Sequence, residues 1–207
     1  MIKSEHVTDI EKRILNEARS VFMKKGFDSV SMTEIARNVG ITRTSLNYYF
    51  RTKERLFAEI YKDIILQFLP LVEKIVLSDK PVFTRIEECV DIYTRVLLEN
   101  PDVILFMATE SSKDPEKYFG IIKLFPEMGK SVRRIGKEIR QSMDEGKLRD
   151  VPLVYFATTF FGLLFFPFMG RNIISGVFFK DDTDSFNNFI LERRKFVSDS
   201  LKSIFKP

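Results

Sequence analysis

The sequence predicts an all-α fold of about nine helices. Three observations lead there. Apolar residues recur at spacings of three and four along most of the 207 residues. Glycines, prolines and side chains able to cap a helix fall between those periodic runs. Alternation of period two, the mark of a half-buried strand, is sustained nowhere. The sequence contains neither an internal repeat nor a low-complexity tract.

Residues 1–8 read as a polar arm. A first helix over residues 8–25 carries Ile10, Ile14, Ala18 and Val21/Phe22 on one stripe, and Gly26 ends it. Phe27, Val30 and Met32 are expected to plug a small core. Ser31 and Glu34, three apart before apolar Ile35, have the spacing of a capping box. Ile35, Ala36 and Val39 share one helical face. Gly40 supplies the left-handed conformation that ends a helix, and Ile41 turns back into the core. Thr42 caps a further short helix over residues 43–50, which turns Leu46 and Phe50 inward. Two short helices joined by a glycine turn make a helix-turn-helix. The predicted organisation is therefore an N-terminal three-helix module over residues 1–52 and a larger helical domain over residues 53–207.

In the larger domain, Thr52 caps a helix over residues 53–76, with Pro70 expected to kink or split it. Helices over 82–99, 101–111 and 115–145 follow, separated by Asn100-Pro101 and Asp114-Pro115. Pro126 and Gly129 are possible interruptions of the third, and Gly146 ends it. Residues 152–174 form the most apolar helix. About 20 apolar residues suffice to span a bilayer. Here, however, the stretch contains Pro152, Gly162, Pro167 and Gly170 and lies among amphipathic helices, so burial within protein is expected and no membrane. A last helix covers residues 184–205. Twelve of the 21 phenylalanines fall between Phe156 and Phe205. One chain of this size has difficulty covering them all, and pairing with a second copy solves that.

Composition narrows the chemistry. The one cysteine, Cys89, rules out an internal disulfide and suits a reducing, cytoplasmic setting. With one histidine, His6, near a terminus, there is no zinc cluster and almost no basis for a Ser-His or Cys-His pair. No phosphate-cradling glycine loop is present, and no cofactor or metal is implied. The mixed-charge N-terminus does not read as a signal peptide. Charge is more telling. Between Arg37 and Arg55 stand five basic residues against the single acid Glu54, a net of +4, which equals the net charge of the whole chain. A basic excess confined to a helix-turn-helix is the footprint expected for a phosphate backbone. The outward face of its second helix shows Arg43, Thr44, Ser45, Asn47, Tyr48 and part of Tyr49, with no acid.

These residues resemble the tetracycline-repressor (TetR) family of bacterial transcription regulators. The resemblance is carried by Ala18, Phe22, Gly26-Phe27, Ser31-Met32, Glu34-Ile35-Ala36, Gly40-Ile41-Thr42, Leu46, Tyr48-Tyr49-Phe50 and Lys53-Glu54-Arg55-Leu56. It covers the N-terminal part of the chain. It implies double-stranded operator DNA as a partner, palindromic because a two-fold pair reads two half-sites. Arg43, Thr44, Ser45 and Asn47, on the helix headed by Thr42, are then the candidates for base edges. Thr33, Tyr48, Tyr49 and Lys53 are the candidates for phosphate contacts. The polar arm is expected to be a disordered tail, with a DNA contact through Lys3 as the alternative. Asn47 stands where the family commonly has tyrosine and Thr44 where it has glycine, so the operator sequence does not carry over.

The resemblance further implies a homodimer through the last two helices, with Ala157 and Gly162 permitting close approach. It also implies an effector pocket in the larger domain for an unknown small molecule. Phe68, Tyr93, Phe106, Phe119, Phe125 and Phe161 are the candidate walls, and Thr109, Glu110 and Thr159 the candidate polar handles. The expected function is a dimeric repressor released by a small lipophilic or aromatic ligand. The alternatives are a ligand-independent or activating regulator, a non-specific DNA-packaging protein, or an enzyme with a helical fold.

Overall fold

The computed structural model describes residues 9–101, 103–113, 116 and 124–207, without the side chains of Val103, Phe106 and Ser111. Among the described residues every regular element is a helix: α1 (Asp9–Lys25), α2 (Met32–Val39), α3 (Arg43–Tyr49), α4 (Lys53–Leu66), α5 (Leu69–Val76), α6 (Val82–Glu99), α7 (Val103–Lys113), α8 (Pro126–Asp144), α9 (Leu153–Met169), α10 (Arg171–Phe179) and α11 (Thr183–Phe205). They form two compact units, one of residues 1–65 with 108–124, the other of residues 66–107 with 125–207.

In the first unit α1 packs on α2 and α2 on α3. Ile14 and Ala18 of α1, Ile35 of α2 and Leu46 of α3 are fully buried, so all three amphipathic stripes meet in one core. Phe22 and Phe27 stack with centroids 5.5 Å apart, and Phe57 of α4 meets Phe27 edge-on at 4.8 Å. Through Phe57 and the fully buried Ala58, the start of α4 belongs to this core, beyond the residue-52 boundary.

In the second unit α6 is central: α5, α9 and α11 all pack on it, while α8 packs on α5 and α10 on α11. One apolar cluster joins Val90 of α6, Phe156 and Phe160 of α9 and Leu201 of α11. A second surrounds Phe186, which is fully buried against Phe168, Ile190 and Leu97.

Two expected helices are each divided. Pro70 splits residues 53–76: α4 stops at Leu66, and α5 begins at Leu69 with the proline in its first turn. Proline has no N–H to give the Leu66 carbonyl four residues back, and its ring crowds that carbonyl. The stretch 152–174 breaks at Gly170, where the α9 and α10 axes bend by 65°. Pro167, three residues earlier, leaves the Leu163 carbonyl without its helical donor, and Arg193 of α11 fills the vacancy with a 3.2 Å bond from Nη2. Burial lowers the pKa of that guanidinium. No single described helix is long and apolar enough to cross a membrane; α9 and α10 pass such a test only as a bent pair. The expected helix 115–145 is seen as α8 from Pro126 onward, its earlier part lying mostly outside the described residues.

Candidate functional site

Two sites emerge, one in each unit. In the first, local chemistry fixes the outward face of α3. The Ser31 hydroxyl accepts the Glu34 backbone N–H at 3.1 Å and starts α2. The Glu34 carboxylate takes the Lys25 ammonium at 2.5 Å and also accepts a hydrogen bond from the Ser31 backbone, completing the expected capping box, and both lower its pKa. Gly40, at φ +80°, ends α2: the Ile41 N–H reaches Ala36 O at 2.9 Å and the Gly40 N–H reaches Arg37 O at 3.1 Å, the paired bonds of a Schellman motif. The Arg13 guanidinium of α1 donates to Val39 O at 2.9 Å and secures the same end. Thr42 accepts the Ser45 N–H at 3.0 Å and starts α3.

With Leu46 as its one fully buried side chain, α3 presents Arg43 and Thr44 exposed and Ser45, Asn47 and Tyr49 half-buried. Tyr48 is 84% exposed, its ring edge-on to Tyr49 at 5.3 Å. The Arg43 guanidinium donates to Thr33 Oγ1 at 3.0 Å, which joins two candidate DNA contacts across α2 and α3. Lys53 is placed differently from the expectation. Its ammonium donates to the carbonyls of Phe27 and Val30, both at 3.0 Å, and sits 4.2 Å over the Phe27 ring. It ties the α1–α2 loop to α4. Ile41 is only half-buried. Lys3 and His6 lie outside the described residues.

The second unit contains a cavity of about 250 Å³ between α5, α6, α8 and α9. Its walls are largely apolar, built from Val72, Ile86, Ile139, Phe156 and Phe160 among others. Of the expected lining residues, Tyr93 and Phe161 are there. Phe68 packs against Tyr93 with tilted rings, centroids 5.0 Å apart, without itself lining the cavity. Phe125 is buried at the start of α8, Thr159 is half-buried on α9, and neither lines the cavity. Thr109 is exposed. Glu110 is corrected outright: it belongs to the first unit, 3% exposed, bonded to Lys113 Nζ at 2.9 Å and close to Gly26. Its carboxylate raises the pKa of Lys113. Phe119 and the Phe106 side chain lie outside the described residues. Ala157, expected on a pairing face, lines the cavity.

Sequence reasoning missed the polar cluster in this wall. Arg85, 7% exposed, donates from Nη1 to Val76 O and to Glu138 Oε1 at 2.8 Å, and from Nη2 to Ser142 Oγ at 3.4 Å. The available signal was register: Arg85 stands four residues before Cys89, on the apolar stripe of α6. Cys89 also lines the cavity, and burial, reinforced by Glu88, pushes its thiol up to about 12. The neutral thiol is then strongly favoured at pH 8. Modification by a disulfide reagent is therefore expected to be slower than for the unfolded chain by at least about a hundredfold, which timed labelling with and without urea measures.

A model described as bacterial regulatory proteins, tetR family, matches residues 14–60, the segment from the middle of α1 into α4. The HTH-type transcriptional regulator YdgC of Bacillus subtilis is 28% identical over 127 residues, 58% of this chain and 65% of that protein, so the chain spans slightly less than two thirds of this relative. The negative regulator of the Staphylococcus aureus biofilm operon icaADBC, IcaR, is 22% identical over 140 residues, 68% of this chain and 73% of IcaR. Among solved structures, the transcriptional regulator FadR of Bacillus subtilis in complex with stearoyl-CoA superposes with a TM-score of 0.64 at 14% identity, covering 88% of this chain and 96% of that one. The helix-turn-helix of α2 and α3 lies within the matched segment, so over residues 14–60 the chain is similar to the tetR family of bacterial regulatory proteins.

Proposed function

We propose that the chain is a homodimeric, cytoplasmic transcriptional repressor that leaves a palindromic operator when a small lipophilic or aromatic ligand enters the cavity of its second unit. The observation that carries the DNA-binding part is the α3 face: an arginine, hydroxyls, an amide and an exposed phenol on a helix without an acid, seated by Leu46. Arg43 carries the paired donors that read a guanine edge, and Asn47 the donor and acceptor that read an adenine edge. Thr42, Thr44 and Ser45 stand beside them, and Thr33, Tyr48 and Tyr49 are placed for phosphates. Lys53 acts from behind, by holding the module together.

Repression rather than activation follows the sense of IcaR, named as a negative regulator. A ligand role for the cavity is supported by its apolar lining and by the acyl-CoA complex of FadR. A homodimer is supported by apolar side chains left exposed along α9, α10 and α11, including Phe166, Ile173, Phe178 and Phe196. The working pair would thus include α10 as well as the expected last two helices. As a switch, the ligand has only to favour one arrangement of the recognition helices; about 1.4 kcal/mol of coupling gives a tenfold loss of operator affinity.

The test is fluorescence anisotropy on the highest-affinity duplex selected by the protein. Arg43→Ala and Asn47→Ala are each expected to weaken binding tenfold to a hundredfold, corresponding to about 1–3 kcal/mol per base contact, and to relax preference at one base pair. Equal affinity of both variants for every duplex would sink the recognition-helix assignment.

A further inference from the structure

We propose that the cavity of the second unit selects an apolar carboxylic acid, its carboxylate held by Arg85, over a neutral lipophile of the same size. The proposal deepens, and rests on, the effector role of that cavity.

A cavity meant only for a neutral apolar ligand has no use for a guanidinium. Burying one is costly unless its donors and its charge are met. In Arg85 they are met unevenly. Nη1 is fully engaged by Val76 O and Glu138 Oε1. Nη2 has the long 3.4 Å bond to Ser142 Oγ, and Nε is buried with no hydrogen-bond partner. The weakly used Nε and Nη2 donors form one edge of the guanidinium fork, the edge whose two parallel N–H groups match the two oxygens of a carboxylate.

The surroundings favour the same occupant. Arg85, Glu138 and Ser142 are gathered in one part of an otherwise apolar lining, so a ligand with one polar end and an apolar body is what the walls complement. At about 30 Å³ per water-sized group, the 250 Å³ of space holds roughly eight such groups. An unbranched acid of about that many carbons fits. Glu138, opposite on α8, is the counter-charge that keeps the guanidinium tolerable when the cavity is empty, and it is also the group a ligand carboxylate must share it with. Removing the Glu138 charge while keeping its shape should therefore strengthen carboxylate binding.

The experiment is calorimetric titration of the full chain at pH 7.5 with octanoate and with 1-octanol, the same chain without the charge. Wild type is expected to bind octanoate at least tenfold more tightly than octanol. Glu138→Gln is expected to raise octanoate affinity a further threefold or more and to leave octanol unchanged. Arg85→Met, checked for folding by circular dichroism, should reverse the preference. Octanol binding as tightly as octanoate, with Glu138→Gln indifferent to both, would overturn the carboxylate proposal and leave the cavity as a site for neutral lipophiles. Binding of neither compound, with no change in melting temperature, would overturn the proposal together with the effector role of the cavity.

Discussion

Replacing Leu46 with alanine is expected to destabilise the first unit by about 2–5 kcal/mol and to abolish operator binding. The magnitude follows from position. At seven residues α3 is far below the roughly 12–15 at which isolated helices become even marginal in water, so tertiary packing has to hold it. Leu46 is the only residue of α3 that is fully buried, and the Thr42 cap and the buried Phe50 complete its anchorage. Truncation leaves a cavity beneath the face proposed to read DNA. Urea unfolding followed by far-ultraviolet circular dichroism gives the stability change. Asn47→Ala is the control: it removes a proposed base contact from the half-buried rim of the same helix and is expected to change stability by no more than about 0.5 kcal/mol while weakening operator binding. If both variants lost stability equally, the division of α3 into a packing face and a reading face would be wrong.

Phe196→Glu is expected to abolish the proposed dimer at micromolar concentration and to reduce operator affinity by at least about a hundredfold. Phe196 is 62% exposed within one chain, so the substitution costs little in protomer folding. In an interface the same carboxylate would be stripped of water without a partner, at a cost of several kcal/mol. Gly162→Leu probes the surface differently. An added Cβ at Gly162 meets nothing within 4 Å, so a side chain fits the single chain and favours the helix by roughly 1 kcal/mol. It would, however, hold a second copy away. Sedimentation velocity reads the assembly state of both variants, and thermal melting reads their folding. Two variants that remain dimers of wild-type operator affinity would place the pairing surface elsewhere.

The first unit was the most legible because its instructions are local. Ser31, Gly40 and Thr42 each act within five residues, and the structure shows each at the expected boundary. Legibility falls where a partner is distant in sequence. Lys53 has a phosphate binder's charge, yet its donors go to carbonyls more than 20 residues away. Glu34 closes its capping box with Ser31 as the spacing predicts, whereas its ion pair with Lys25, nine residues back, is not visible in that pattern. The break near Gly170 is visible as Pro167 and Gly170; what the sequence hides is that Arg193, 30 residues on, occupies the carbonyl the proline leaves open. The same holds for the cavity. Periodicity placed Tyr93 on an inward stripe, and it cannot show that Arg85 meets Glu138 and Ser142 across 53 and 57 residues. Nor does an acid at the end of an apolar helix reveal which unit will enclose it, which is why Glu110 looked like a ligand handle and is instead the partner of Lys113.

Selection of bound sequences from random duplex DNA by the intact protein is expected to give one enriched site with two-fold symmetry. Its affinity should fall with rising salt as phosphate contacts are screened, and its symmetry should weaken when Arg43 or Asn47 is replaced by alanine. No enriched sequence, with binding that depends on salt alone, would contradict operator recognition and reduce the basic face of α2 and α3 to a generic charged surface.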